Sequence, residues 1–216
     1  MGFSEDRAQG RFGERYFLLA ANPYLIWDAV ENWKAVWQKP ENAPVDIFRA
    51  PRIDFDRLLD IGATIPMFAQ TRLVVISDAN KIGDSQAQRF LKILGQFGPT
   101  TKVLVTATEF DKRTRVFKGL SSWGAFEEFP PIYADRLPGW AKRIAGEFGW
   151  NLSPAAAELL ASTYGDDLFA VRQTIERTTL FIVTPRRIEI RDGKISKQVD
   201  ARLAGLDRFP AAPPSA

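Results

Sequence analysis

The sequence predicts an α/β domain, a mostly parallel five-stranded sheet with helices on both faces, followed by a small helical domain. Strand signals, the first of them the continuous apolar run Tyr16–Ala20 of the buried-strand type, alternate with helical stripes from Tyr16 to Phe129. Such alternation implies strands joined by crossover helices, hence a parallel sheet covered on both sides. Two successive prolines, Pro130-Pro131, close this block, and beyond them the apolar residues recur at helical spacing.

Tyr16-Phe17-Leu18-Leu19-Ala20 is the first strand. Asn22 reads as an N-cap and Pro23 as the first helical residue, since proline has no N–H to lose there. Ile26, Val30, Trp33 and Trp37 follow on one helical face. Val45–Phe48 is a second strand, and 53–61 a helix with Phe55, Leu58 and Leu59 inward. The third strand is Arg72-Leu73-Val74-Val75-Ile76. A helix capped near Asp84 or Ser85 then carries Ala87, Phe90, Leu91, Leu94 and Phe97 on one side. Lys102–Thr106 is the fourth strand, 112–120 a helix and 126–129 the fifth strand.

After the prolines, Leu137, Trp140, Ile144 and Phe148 form one stripe. Ser153-Pro154 opens a helix with Leu159, Leu160 and Tyr164, and Leu168, Val171, Ile175 and Ile182 form a third stripe ending at Pro185. Ile188-Glu189-Ile190 could form a strand, with Asp192-Gly193 as a turn. The tail from Pro210 has linker or disordered composition. The expected domains are therefore 1–131, 132–200 and a tail over 201–216.

Composition excludes several chemistries. The 216 residues include no cysteine and no histidine, which removes disulfides, thiol nucleophiles, the usual general base and the usual zinc ligands. The net charge is only +3, with Lys and Arg interspersed among Asp and Glu, so charge alone does not argue for nucleic acid. No apolar run approaches the roughly 18 residues that cross a bilayer. The polar, acidic Met1-Gly2-Phe3-Ser4-Glu5-Asp6 has no signal-peptide core, so no membrane contact is expected and the cytoplasm is the default location.

The junction of first strand and first helix reads Leu19-Ala20-Ala21-Asn22-Pro23-Tyr24. A phosphate-binding loop, G-x-x-x-x-G-K-[ST], would supply backbone N–H groups, a lysine and a metal-binding hydroxyl there. This junction has no glycine or lysine, and Pro23 removes a donor. The third strand ends Ser77-Asp78-Ala79: Asp78 stands where half of a Walker B pair would, Ala79 replaces the carboxylate that polarises water, and Asp78 reads better as a helix or turn cap with Asn80. The order of elements resembles AAA+ ATPases, an α/β domain followed by a helical lid, with Phe169 about where those proteins tend to carry a sensor arginine. The frame is that of an ATPase without its chemistry, and no cofactor or metal is expected.

Four further segments carry a narrower resemblance. They are Tyr16–Leu19 with Asn22–Ile26, Thr64-Ile65-Pro66-Met67-Phe68-Ala69-Gln70-Thr71-Arg72-Leu73-Val74-Val75, Asp111–Lys118, and Leu152–Leu160. In order and spacing they are similar to the delta subunit of the bacterial DNA polymerase III clamp loader, over most of the chain from about Tyr16 to about Ile182. The resemblance implies a subunit without catalysis of its own within a DNA polymerase holoenzyme, which grips the ring-shaped sliding clamp and opens one of its interfaces. Its implied partners are the clamp, the loader's ATPase subunits and a delta-prime-type subunit, with primer-template DNA reached indirectly. The ATPase partners' nucleotide state would control exposure of the clamp-binding segment. Ala21-Asn22 replaces the family's usual Gly-acidic pair. The collar domain that normally follows the lid is expected to be absent, because only Lys194–Ala216 remain.

By this resemblance Ile65, Met67 and Phe68 match the clamp-inserting positions. On periodicity alone, Met67 and Phe68 could instead be core beneath the third strand, but Leu58, Leu59, Leu73 and Val75 already supply a core there. A thioether and an aromatic ring suit a preformed apolar pocket. Lys112, Arg113, Arg115 and Lys118 read as a basic helix face, either solvated or in contact with a neighbouring subunit or DNA phosphate. Of the six tryptophans, Trp33, Trp37 and Trp140 fall on helical stripes and read as core, while Trp123 and Trp150 lie at element ends and stay open. Two other readings compete with the clamp-loader one: an AAA+-type nucleotide-binding protein and a DNA-binding replication accessory module.

Overall fold

The computed structural model describes residues 2–10, 12–67, 69–180, 187–191 and 194–197. The chain divides into two units, Met1–Pro131 and Ile132–Ala216. In the first, β1 (Arg15–Ala20), β2 (Val45–Arg49), β3 (Arg72–Ser77), β4 (Thr101–Ala107) and β5 (Ala125–Phe129) form one parallel sheet in the order β2-β3-β4-β1-β5. The period of two along the strands builds two cores. Phe17, Leu19, Val74, Ile76, Val103 and Val105 point to the face covered by α3 (Phe55–Ala63), α4 (Asp84–Gly95) and α5 (Arg115–Trp123). Tyr16, Leu18, Leu73, Val75 and Leu104 point to the other face, against Ala29 and Trp33 of α2 (Pro23–Glu41). The α/β expectation holds.

Helix starts follow capping chemistry rather than apolar periodicity. Asn22 caps α2 by accepting from the Tyr24 N–H at 2.9 Å. Helix α3 begins at Phe55, not Ile53, because the Asp54 carboxylate accepts from the N–H groups of Asp56 and Arg57. Gly83 is the N-cap of α4, and Asp84 sits in the first turn, where its charge suits the helix dipole. The largest shift is at α5, expected from Lys112 but starting at Arg115, because the Thr114 hydroxyl caps the Phe117 N–H. Lys112 and Arg113 therefore lie in the turn before the helix. The basic helix face keeps only Arg115 and Lys118.

The polar N-terminus holds an element that the pattern did not reveal, α1 (Phe3–Ala8). Phe3 is fully buried against Phe12, Tyr16 and Phe129, and Arg7 reaches the buried Asp28 at 2.8 Å. Ser4 hydrogen-bonds Glu127 on β5. The Tyr16 phenol donates to the Asp6 carboxylate and accepts from the Gly13 N–H. Burial, followed by the bond to Asp6, pushes the phenol's pKa well above its usual value of 10.0. The unfolded chain thus releases this proton near pH 10 while the folded chain keeps it, so stability is retained below about pH 10 and falls as pH rises further. Denaturation midpoints from pH 9 to 11 should decline less in Tyr16→Phe than in the parent. Equal slopes would dismiss Tyr16 as the source.

The second unit holds α6 (Leu137–Glu147), α7 (Pro154–Tyr164) and α8 (Leu168–Leu180), with a three-stranded sheet of β6 (Asn151–Leu152), β7 (Arg187–Arg191) and β8 (Lys194–Lys197) in the order β6-β7-β8. The strand alternative at Ile188–Ile190 is thus the one formed, with Ile190 opposite Ile195. Ala141, Ala145, Ala156 and Ala157 are buried with Ile144, Leu160, Val171 and Ile175, where small side chains let helix backbones approach. Ser153 caps α7 as expected. Trp150 joins the core, whereas Trp140, read as core, is half-buried beneath the Arg143 guanidinium, 4.5 Å from its ring centroid. Ile182, Pro185, Asp192-Gly193 and the 201–216 tail lie outside the described residues. Among those described, no helix is long and apolar enough to cross a membrane.

Candidate protein-interaction site

Parallel α/β sheets bind ligands beyond the carboxyl ends of their strands, so that edge is where a nucleotide would sit. Here Leu19, Ala20, Ala21, Thr108, Phe110, Lys112, Glu128 and Phe129 line a pocket of about 150 Å³. That is small beside the roughly 300–1,000 Å³ of ordinary ligand sites. The start of α2 has already spent its donors: Pro23 has none, the Tyr24 N–H goes to Asn22 Oδ1, and the Leu25 N–H goes to the Asn22 carbonyl. The pocket's lysine is also engaged, Lys112 Nζ lying 2.6 Å from Glu128. Asp78 adopts a left-handed backbone (φ 58°), and its carboxylate pairs with Arg49 at 3.1 Å and Lys81 at 3.5 Å. It ties the end of β2 to the turn after β3 through ion pairs, with no side-chain capping bond. Phe169 is an exposed residue at the start of α8.

The opposite edge of the sheet carries the apolar segment. Helix α3 ends at Ala63, the extended backbone of its C-cap Thr64 (ψ 130°) turns the chain away, and the described residues of 64–71 are irregular rather than helical. Within it Ile65 is 72% exposed and Met67 88% exposed, while Pro66 between them is buried. The proline roots the segment, and its neighbours project into solvent. Leu58, Leu73 and Val75 fill the core, so the core alternative for Met67 does not apply. Phe68 lies outside the described residues.

The base of the segment is tied from several sides. The Gly62 carbonyl, one of the helix-end acceptors without an intrahelical partner, accepts from the Gly98 N–H at 3.1 Å and from the Thr101 hydroxyl at 3.0 Å. The Phe97 ring fills the space beside Gly62 so closely that a Cβ there would stand 2.0 Å from Cε1. At the far end the Arg72 N–H reaches the Thr100 carbonyl at 2.9 Å, and the Leu73 N–H reaches the Pro44 carbonyl at 2.9 Å.

The four basic residues separate by charge pairing. Lys112 is held by Glu128, and Arg113 folds back onto Asp111 through its guanidinium and its backbone N–H. The Arg113 side-chain bonds, followed by its backbone N–H, hold the Asp111 carboxyl below its usual range. Arg115 and Lys118 are exposed and form no ion pair among the described residues. Sequence reasoning missed the anchoring roles of Gly62, Phe97 and Thr101, which come from three separate stretches of chain and share no motif. It also missed Ile47, 65% exposed on the edge strand β2.

The sequence matches no protein-family model and no curated protein. Solved structures do match. The DNA clamp loader delta protein of Bacillus subtilis (YqeN) superposes with a TM-score of 0.63 at 17% identity, over 87% of this chain and 59% of that one. A DNA polymerase III gamma subunit-related protein of Thermotoga maritima gives 0.55 at 12% identity, over 82% and 58%. The Holliday junction branch migration motor RuvB of Thermotoga maritima gives 0.52 at 14%, over 86% and 61%. The chain thus spans about three fifths of each protein's length, and at these identities the likeness establishes an AAA+-like fold.

Proposed function

We propose that this chain is a non-catalytic, delta-type clamp-loader subunit, which binds a DNA sliding clamp through Ile65, Met67 and Phe68 and opens the ring for loading onto primed DNA. The observation that carries the reading is the exposed pair Ile65 and Met67 on either side of the buried Pro66. Large apolar side chains held in water on a rooted segment are anchors for a partner's pocket. The spent donors at the start of α2 and the small pocket count against nucleotide chemistry, and the likeness to clamp-loader subunits supports the same choice. On this reading the partners are the clamp, the loader's ATPase and delta-prime-type subunits, and primer-template DNA indirectly, all in the cytoplasm. Any motor activity belongs to the ATPase subunits. Size-exclusion of the full chain with the sliding clamp encoded in the same genome should show a complex, and millimolar ATP should leave the chain's melting temperature unchanged. Separate elution of chain and clamp would defeat the proposal, and a clear ATP-dependent rise in melting temperature would favour a nucleotide-binding protein.

A second reading, direct contact with DNA, is favoured by one observation: Arg115 and Lys118 are exposed cations without an ion pair among the described residues. It predicts weak duplex binding that falls with salt at a slope of about −0.9 per phosphate contacted, and a slope smaller by about two in Arg115→Ala with Lys118→Ala. A slope unchanged by the double variant would dismiss these residues as phosphate contacts.

A further inference from the structure

We infer that Thr101 is a positioning residue for the clamp-contact segment: through its hydroxyl it fixes the Gly62 carbonyl, and with it the point from which Ile65 and Met67 project. The inference rests on the clamp-contact reading of those two side chains. Thr101 opens β4, the middle strand of the sheet, opposite Arg72 in the register with β3. Its side chain is 2% exposed, and its hydroxyl lies 3.0 Å from the Gly62 carbonyl. That carbonyl stands next to the last residue of α3, two residues before the chain turns outward at Thr64. The Gly98 N–H gives the same oxygen a second bond, and the Phe97 ring closes the space where a side chain at 62 would be.

The far end of the segment is held by the same loop, through the Arg72 N–H on the Thr100 carbonyl. Residues 97–101 therefore grip both ends of 64–71, and Thr101 holds the near end by a side-chain hydrogen bond. A residue left free in a contact segment must be ordered when the partner binds, and that ordering subtracts from affinity. A segment populating its binding-competent form only part of the time binds more weakly by that fraction. A buried threonine hydroxyl on the root carbonyl reduces both losses without touching the partner.

Thr101→Val keeps the side-chain shape and deletes the hydroxyl. In the full chain it should weaken binding to the same-genome clamp about fivefold, the order set by one lost hydrogen bond. It should also speed amide exchange across 64–71 while leaving exchange in β1 and β3 unchanged, a selectivity that general destabilisation would not produce. Thr101→Ser, which restores the hydroxyl, should recover both values. Unchanged exchange across 64–71 in Thr101→Val overturns the inference, as does faster exchange there with unchanged clamp affinity. The double variant Ile65→Ala with Met67→Ala separates the two ideas. If it binds the clamp as the parent does, the clamp reading fails, and the exchange comparison still decides whether Thr101 holds the segment.

Discussion

Alanine at both Ile65 and Met67 is expected to weaken clamp binding by roughly a hundredfold to a thousandfold, because central anchors cost about 2 kcal/mol or more each when truncated. The side chains are 72% and 88% exposed, so truncation removes little buried contact from the folded chain. Surface changes of this kind stay within about 0.5 kcal/mol in stability, and the melting temperature should barely move. The signature is thus a large loss of affinity in a protein as stable as its parent. Pro66 should behave differently, because it is buried at the root and its replacement would disturb the segment's path. Calorimetric titration of parent and double variant against one clamp preparation supplies both numbers, and equal affinities would remove the clamp from the list of partners.

Phe17→Ala is expected to produce the largest loss of stability, about 3–5 kcal/mol, as for other large-to-small changes of a fully buried aromatic residue. Phe17 lies on β1 between β4 and β5, and its ring meets Phe110 at 5.7 Å, Phe117 at 5.7 Å and Phe126 at 5.1 Å between centroids. These partners come from a loop, a helix and a strand, so little can move inward to fill the space. The melting temperature of the first unit should fall by about 10 °C. Phe17→Leu, which retains most of the apolar volume, should lose markedly less. A fall of only a degree or two in the alanine variant would mean that the aromatic cluster is not a main support of the sheet.

The fold was largely legible because strands buried on both faces and helices buried on one leave different periods in the sequence. Phe17 and Leu19 against Tyr16 and Leu18 show the two-faced strand directly. Helix boundaries were less legible where a polar side chain could compete for the first N–H groups. Thr114 does so at α5, and it leaves Lys112 and Arg113 in a turn where Glu128 and Asp111 neutralise them. Helix α1 was missed because its single deep anchor, Phe3, makes no periodic pattern in a six-residue element. The candidate site was half legible: Ile65 and Met67 stand out as apolar residues in a connection, whereas nothing local marks Thr101 as their support.

The α/β plan, the three helices after Pro131 and the absence of glycine and lysine at the β1–α2 junction follow from the chain's own residues, whereas the small sheet beside those helices does not. These depend on residue type and short-range spacing, which the chain carries openly. The folded arrangement settles that Met67 faces solvent rather than the core, that Arg115 and Lys118 form no ion pair among the described residues, and that residues 97–101 hold both ends of 64–71. Each of these depends on groups distant in the chain meeting in space: Leu58 and Leu73 filling the core first, Glu128 reaching Lys112 from β5, and the Thr101 hydroxyl reaching a helix-end carbonyl. Charge pairing and the satisfaction of a helix-end carbonyl belong to the folded arrangement and leave no mark in local pattern, whereas the exposure of Met67 was argued from the apolar residues around it and is fixed by the fold.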